Sequence, residues 1–284
     1  MKYISSSCIK GEKKISEVLK KISQFGFSNI ELSGGTQYEE NITDILLEAK
    51  SKLNLNLLCH NYFPSPKVPF VANLASLDSD IHKFTMSHFK KSIDLSYAIG
   101  AKKFGLHAGF YTDIFLSQIG GDICKKPLYN KNKAFVKFCK SFDKLKSYSN
   151  GRVDLYIENN VLAKHNYLNY DKNNLFMLTN LDEYDELKKN IDFTILLDVA
   201  HLYVSSKTLG RGFENEATVL WDETDYIHVS DNDGIKDLNL GLKKDGEILS
   251  VINSCDKKNK TFTFEVYQTL EEIRKSTLLF DFET

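Results

Sequence analysis

The stretch FTILLDVAH at residues 193–201 decides the fold class of this chain. A short apolar run ends at Asp198, and His201 follows one helical turn later. Five more apolar runs end in a side chain that can bind a metal: LNLNLLCH at 53–60, KKFGLH at 102–107, VDLYIE at 153–158, DYIH at 225–228 and FTFE at 262–265. Six such runs predict parallel strands whose carboxyl ends meet at one site, as in a (β/α)8 TIM barrel of the α/β class.

Helical patterns between these runs support the same fold. Ile15, Val18, Leu19 and Ile22 have the spacing of one apolar helix face. Two further strands are predicted before the first metal-binding run, at 3–8 and 28–32, and a helix is predicted at 44–53. A third helix ends near residue 99, and Gly100 is its predicted C-terminal stop. Alternating strands and helices indicate βα units and a parallel sheet.

Length and composition indicate one domain over residues 1–284. The length is typical of a single eight-fold barrel, and no Gly/Ser linker divides the chain. Hydrophobic residues make up 42% and charged residues 26%, which is enough apolar side chain for a large core. The net charge of −1 gives no general attraction for nucleic acid, whose binding depends on neutralising phosphates.

Cysteine usage and the N-terminus indicate a cytoplasmic protein. The five cysteines are scattered and form no C-x-x-C pair, as expected for free thiols. Cys59 is expected to pack on the side of its strand opposite His60. The N-terminus lacks the apolar stretch of a signal peptide, and no window approaches eighteen apolar residues, so no membrane span is expected.

Four of the strand ends form a predicted metal site. Glu158, Asp198, His228 and Glu265 offer the carboxylate oxygens and imidazole nitrogen that divalent cations bind. Taken singly, each glutamate could instead form an ion pair, and His228 could be a hydrogen-bonded core histidine. Together the carboxylates would repel one another at one barrel mouth unless they were protonated or metal-bound.

Two of these ligands suggest a reaction. With a metal polarising a substrate carbonyl, one of Glu158 and Glu265 would remove a proton from the adjacent carbon and the other would return one. Such proton transfer through a metal-stabilised enediolate would isomerise or epimerise a sugar.

Further polar side chains are expected near this site. His60, His107 and His201 could each be a metal ligand, an orienting residue or a substrate contact. Asp231, Asp233 and Asp237 lie on the loop after His228. Of these, Asp231 and Asp233 could instead only shape the turn that ends in Gly234.

The chain resembles the xylose-isomerase-like barrel superfamily, which joins sugar isomerases and epimerases with the endonuclease IV family. The resemblance covers essentially the whole chain. Its most specific pieces are the D-x-x-H pair in LLDVAHLYVSS at 196–206 and the stretch YIHVSDNDGIKDLNLGLKKDGEI at 226–248. Other pieces are LCHNYFPSPKVPFVANLASLD at 58–78, IGAKKFGLHAGF at 99–110, YIEN at 156–159 and FTFEVY at 262–267.

The two branches imply different metal sites. The isomerase and epimerase branch uses one divalent metal held by the residues that match Glu158, Asp198, His228 and Glu265, with the glutamates as acid and base. In that branch His201 matches a substrate-contacting histidine. Endonuclease IV implies three zinc ions on nine ligands, eight of which match: His60, His107, Glu158, Asp198, His201, His228, Asp237 and Glu265.

The ninth endonuclease ligand favours the isomerase and epimerase branch. That position is a histidine in endonuclease IV and is Asn239 here, and an asparagine amide is a poor zinc ligand. The leading interpretation is therefore a sugar or sugar-phosphate isomerase or epimerase with one divalent cation (Mn, Mg, Co or Zn) and room for a second. A zinc phosphodiesterase acting on abasic DNA and a non-catalytic carbohydrate-binding barrel are the alternatives. Barrels of this kind often pair, so a homodimer is one open alternative for the oligomeric state.

Overall fold

The computed structural model describes residues 1–281, and in that range eight parallel strands close into a barrel in chain order. The last three residues of the predicted 1–284 domain lie outside the described range. The strands are β1 Lys2–Ser5, β2 Asn29–Leu32, β3 Asn56–His60, β4 Lys103–His107, β5 Asp154–Glu158, β6 Thr194–Asp198, β7 Tyr226–Val229 and β8 Thr261–Phe264. The predicted (β/α)8 TIM barrel is therefore confirmed.

Helices lie between the strands and after the last one. They are α1 Ile15–Gln24, α2 Ile42–Leu53, α3 Ser79–Ala98, α4 Lys131–Ser149, α5 Lys164–Asn169, α6 Leu181–Asn190, α7 Val199–Leu209, α8 Phe213–Asp222, α9 Glu247–Ser254 and α10 Leu270–Asp281. The apolar face predicted for α1 is fully buried. Gly100 follows α3 with a φ of +77°, the left-handed conformation expected of a helix stop.

The strand register brings the predicted site residues to one level. His107 of β4 pairs with Glu158 of β5, and Asp198 of β6 pairs with His228 of β7. The backbone N–H of Glu265, directly after β8, donates to the Val229 carbonyl at 3.1 Å. Since the strands are parallel, these side chains all lie at the carboxyl end of the barrel, where TIM-barrel active sites form.

Two small predictions about the strands have different outcomes. The first strand was predicted over 3–8, but it ends at Ser5 because Ser6–Cys8 turns into a short 3-10 helix. Cys59 is fully buried and its thiol contacts Ser96 of α3, so it packs away from the barrel interior as predicted. All five cysteines are free.

A glycine makes room for the site inside the barrel. A Cβ on Gly105 of β4 would lie 2.5 Å from Leu196 Cδ1 and 2.9 Å from His60 Cδ2. These distances are too short for any side chain without displacing a neighbour. The absence of a side chain at 105 therefore lets the His60 imidazole lie across β4 toward Glu158.

Two apolar clusters stabilise the described part of the chain. The large one fills the barrel and the layer between strands and helices. The small one joins loops at the carboxyl end of the barrel, and its buried members are Val71, Phe110, Ile123, Leu162, Tyr170, Leu175 and Phe176. Among the described helices, none combines the length and apolar character needed to cross a bilayer.

Candidate metal centre

The four predicted metal ligands converge at the carboxyl end of the barrel. Glu158, Asp198, His228 and Glu265 each place one ligand atom within 4.8 Å of the others. All four side chains are buried. They come from β5, β6, β7 and the residue after β8, so four consecutive strands build one group.

Each of the four residues carries a buried atom without a hydrogen-bond partner. Within the described range these atoms are Glu158 Oε1, Asp198 Oδ2, His228 Nδ1 and Glu265 Oε1. Glu158 Oε1 and His228 Nδ1 lie 3.3 Å apart, but without hydrogen-bond geometry. Buried polar atoms are nearly always hydrogen-bonded, so four exceptions at one point need an explanation. A divalent cation bound by one nitrogen and three carboxylate oxygens would satisfy all of them, and the residues present fit such an ion.

Glu31 is a further buried residue of this centre that the strand-end pattern does not predict. Its carboxylate is fully buried inside the barrel, and Oε1 lies 3.0 Å from His228 Nε2. The Tyr226 and Thr263 hydroxyls donate to Oε2. When a histidine binds a metal through one ring nitrogen, a carboxylate that accepts from the other ring N–H fixes the orientation of the ring. The one signal in the sequence was a charged residue inside the short apolar run NIEL at 29–32.

His60 hydrogen-bonds the second oxygen of Glu158, and His107 lies close to the same oxygen. His60 Nε2 lies 2.8 Å and His107 Nδ1 lies 3.1 Å from Glu158 Oε2. The His60 ring is also held from the other side, where Nδ1 lies 3.2 Å from the Ser33 hydroxyl. These contacts orient Glu158 so that Oε1 faces the other three ligands.

His201 and Asp237 lie on the adjoining side of the centre. Asp198 caps α7 by accepting from the His201 backbone N–H at 2.7 Å. His201 Nδ1 lies 2.9 Å from the Asn159 carbonyl, an arrangement that assigns the ring proton to Nδ1. His201 Nε2 is then left 3.5 Å from Asp237 Oδ2 and 3.8 Å from Asp198 Oδ2.

Asp231 and Asn239 do not belong to the group of four converging side chains. Asp231 accepts from the backbone N–H groups of Asn232 at 2.8 Å and Lys243 at 3.0 Å, so its carboxylate ties the loop after β7 together. Asp233 accepts from two N–H groups just beyond Gly234, the turn-shaping role considered from the sequence. Asn239 is buried, and its Oδ1 lies 3.5 Å from the Ser230 hydroxyl.

Burial and close charges shift the pKa values of the centre in opposite directions. Burial raises the pKa of Glu265 to about 7. Burial would also raise the pKa of Glu158, but His107, His60 and His228 outweigh it and hold that pKa well below its usual range. Burial lowers the pKa of His107 to about 4, which keeps this imidazole neutral. Two glutamates in one site thus have unlike proton affinities, as acid and base pairs do.

A cavity of about 430 Å³ opens above the centre. Glu265, His60, His107 and His201 form part of its lining, as do Asp237 and Asn239. Glu158 is fully buried beneath the histidines. It is not one of the described residues that line the cavity. The cavity size lies within the roughly 300–1,000 Å³ of ordinary small-molecule sites.

The chain belongs to the xylose isomerase-like TIM barrel family, whose profile matches residues 19–249. This match covers most of the chain, including all strands from β2 to β7. No curated protein matches the sequence.

Solved structures similar to this one include several proteins described as epimerases. A D-tagatose 3-epimerase-like protein has a TM-score of 0.72 at 14% identity, over 98% of this chain and 95% of its own. D-psicose 3-epimerase from Clostridium cellulolyticum H10, solved with D-tagatose, has a TM-score of 0.67 at 14% identity, over 99% and 97%. The 3-keto-D-glucoside 4-epimerase from E. coli has 0.66 at 11% identity, over 98% of both chains. At these identities the likeness shows a shared barrel.

Proposed function

We propose that this protein is a metal-dependent sugar isomerase or epimerase that moves a proton at a carbon next to a carbonyl. The observation that carries the proposal is the set of four convergent side chains, each with a buried atom lacking a hydrogen-bond partner. Glu158, Asp198, His228 and Glu265 would hold one divalent cation. A cation so held would supply a Lewis acid for the substrate carbonyl.

Proton transfer and substrate binding would then be carried out by other side chains and atoms of this centre. Glu265 lines the cavity and can reach a substrate proton directly. Glu158 does not line the cavity, so the second proton would pass to or from it through His60, which lines the cavity and whose Nε2 lies 2.8 Å from Glu158 Oε2. His201 also lines the cavity, and its fixed ring can contact a substrate oxygen.

The family and the structural relatives support a sugar as the substrate. The relatives are described as ketose 3-epimerases and a keto-glucoside 4-epimerase, and one was solved with D-tagatose. All these reactions invert a carbon next to a carbonyl, the chemistry that a carboxylate pair with a cation can perform. The proposal includes one divalent cation, Mn, Mg, Co or Zn, and pairing of two chains as a homodimer.

The phosphodiesterase alternative is not favoured. Asn239 replaces the ninth zinc ligand, and its side-chain oxygen faces Ser230. Within the described residues the cavity lining contains Lys236 and no arginine, so little positive charge is available for a nucleic-acid backbone. A second ion beside the first would still find three ligands, which are His107, His201 and Asp237.

Solvent-proton exchange tests the proposal. The metal-loaded protein is incubated in D₂O with a panel of ketoses and their phosphates, and deuterium next to the carbonyl is measured by NMR. Glu158→Gln and Glu265→Gln should each lower exchange by at least about 100-fold, the usual scale of acid–base catalysis. Glu48→Gln, on the exposed face of α2, is the matched control and should exchange normally. Normal exchange in both active-site variants would contradict the two-glutamate mechanism, and a protein that binds sugar without any exchange would be a binding barrel.

A further inference from the structure

The cavity above the metal centre has two unlike halves. One half contains the histidines and carboxylates already described. The other half is lined by six large apolar side chains: Val71, Phe110, Ile114, Ile119, Ile123 and Phe176. The hydroxyls of a sugar need hydrogen-bond partners, and these six side chains offer none.

Five of the six apolar side chains belong to the small apolar cluster or pack against it. Phe110 and Phe176 pair through an antiparallel backbone bridge, and their rings pack edge to face with centroids 5.4 Å apart. Val71 and Ile123 belong to the same small apolar cluster, so the loops after β3, β4 and β5 pack together around this half. The wall is therefore formed before any ligand binds, which lowers the entropic cost of binding.

Polar side chains in this half mostly hold the loop rather than face a ligand. Asn166 accepts from the Ile123 N–H at 2.9 Å and donates to the Gly121 carbonyl at 3.0 Å. Asn160 donates to the Met177 carbonyl at 2.9 Å. Among the described residues of this half, the buried atoms left without a hydrogen-bond partner are Gln118 Nε2 and His165 Nδ1.

The small number of free polar groups limits what can occupy this half. A second sugar ring would bring several hydroxyls against apolar side chains, and each unpaired hydroxyl would weaken binding. The one lysine of the described lining, Lys236, precedes Asp237 of the metal centre, so a phosphate in the apolar half would meet neither a lysine nor an arginine among the described lining residues. Phosphate sites normally use several cationic or backbone N–H donors. An aryl or alkyl group meets neither difficulty.

We propose that the substrate is a neutral sugar that carries an apolar substituent, aryl or alkyl. Its sugar part lies over the metal centre, and its substituent fills the half lined by Phe110, Ile114, Ile119, Ile123 and Phe176. This inference rests on the proposed sugar-directed function, and it names the class of sugar that the cavity selects.

Binding of two unreactive glucosides tests the inference independently of the chemistry. Isothermal titration of the Mn²⁺-loaded protein compares phenyl β-D-glucopyranoside with methyl β-D-glucopyranoside, neither of which has a carbonyl to react. Burying the phenyl ring should make the phenyl glucoside bind about tenfold more tightly or better. Glucose 6-phosphate should bind no better than the methyl glucoside.

Substitutions on one loop provide the matched comparison. Ile119→Ser and Ile114→Ser should each lower the phenyl preference several-fold, since both side chains line the cavity. Leu116→Ser is the control, because Leu116 is 47% exposed, close to the 50% of Ile119, but is not among the described lining residues. Leu116→Ser should keep the full preference.

Three outcomes would overturn the inference. They are equal binding of the two glucosides, failure of the phenyl glucoside to bind, and a phenyl preference that both isoleucine variants retain. The result is separable from that of the exchange experiment. A phenyl preference without deuterium exchange refutes the proposed reaction and leaves the ligand class standing, whereas exchange without the preference does the reverse.

Discussion

Glu31 and His228 are 197 residues apart in sequence, yet Glu31 Oε1 lies 3.0 Å from His228 Nε2 inside the barrel. Removing a carboxylate that hydrogen-bonds the ring nitrogen not bound to the metal commonly lowers metal affinity by about 10–100-fold. Glu31→Gln keeps the shape and loses the charge, and Glu31→Ala loses the contact as well. We expect Mn²⁺ affinity to fall in both variants, and further in Glu31→Ala.

Competition with a chelator of known affinity measures this effect. Glu48→Gln, which removes an exposed carboxylate on α2, serves as the control for loss of negative charge. Unchanged affinity in Glu31→Ala would show that His228 needs no partner to bind the ion.

Metal binding should stabilise the fold, because the four ligand atoms come from strands that unfolding separates. At a free Mn²⁺ concentration of about 100 times the dissociation constant, the free energy of unfolding should rise by about 2.7 kcal/mol. Asp198→Asn should lose most of this gain. Urea unfolding with and without Mn²⁺ measures it, and an equal gain in the Asp198 variant would place the ion elsewhere.

Gly105→Ala should disturb both the fold and the centre. Its Cβ would lie 2.5 Å from Leu196 Cδ1 and 2.9 Å from His60 Cδ2, so the core must shift. Overpacking of this kind costs about 1–3 kcal/mol of unfolding free energy. Gly121→Ala is the control, since the nearest heavy atom there is 4.0 Å away. Chemical denaturation compares the two, and equal stabilities would mean that β4 tolerates a side chain at 105.

An ion pair at the opposite end of the barrel should respond to acid. Burial opposes ionisation of Asp225, but its bonds to Lys103 and Tyr156 outweigh burial and lower its pKa from the usual 3.8. Its stabilising effect is therefore present above pH 3.8 and is lost as pH falls through the lower folded value. Because Asp225 is half exposed, the effect should stay below about 1 kcal/mol.

Asp225→Asn provides the comparison for this pH effect. The difference in unfolding free energy between the wild type and this variant should shrink below pH 3.8. A constant difference across the acid range would assign no role to the Asp225 charge.

The pattern of strand ends was enough to predict the barrel and the four convergent ligands. Each apolar run predicts a strand, and Glu158, Asp198, His228 and Glu265 each follow directly at the end of a run. Parallel strands in a barrel place these ends on one side, so the four side chains are expected to lie close together. The structure brings these four side chains together, as the pattern indicates. Their roles as ligands and as acid and base stay predictions.

Two features could not be predicted from local sequence. Glu31 lies within its strand rather than at the end, and its partner His228 is reached only when the barrel closes. The apolar half of the cavity depends on Phe110 pairing with Phe176, a contact between loops 66 residues apart. Nothing in the sequence of residues 108–130 specifies what this stretch packs against.

Locating the cation tests the central claim most directly. Crystals of the protein grown with Mn²⁺ would be measured near the manganese absorption edge. We expect an anomalous peak within coordination distance of Glu158, Asp198, His228 and Glu265, and no peak at that position in Asp198→Asn. A manganese peak held by other residues, or no bound manganese in the wild type, would contradict the account.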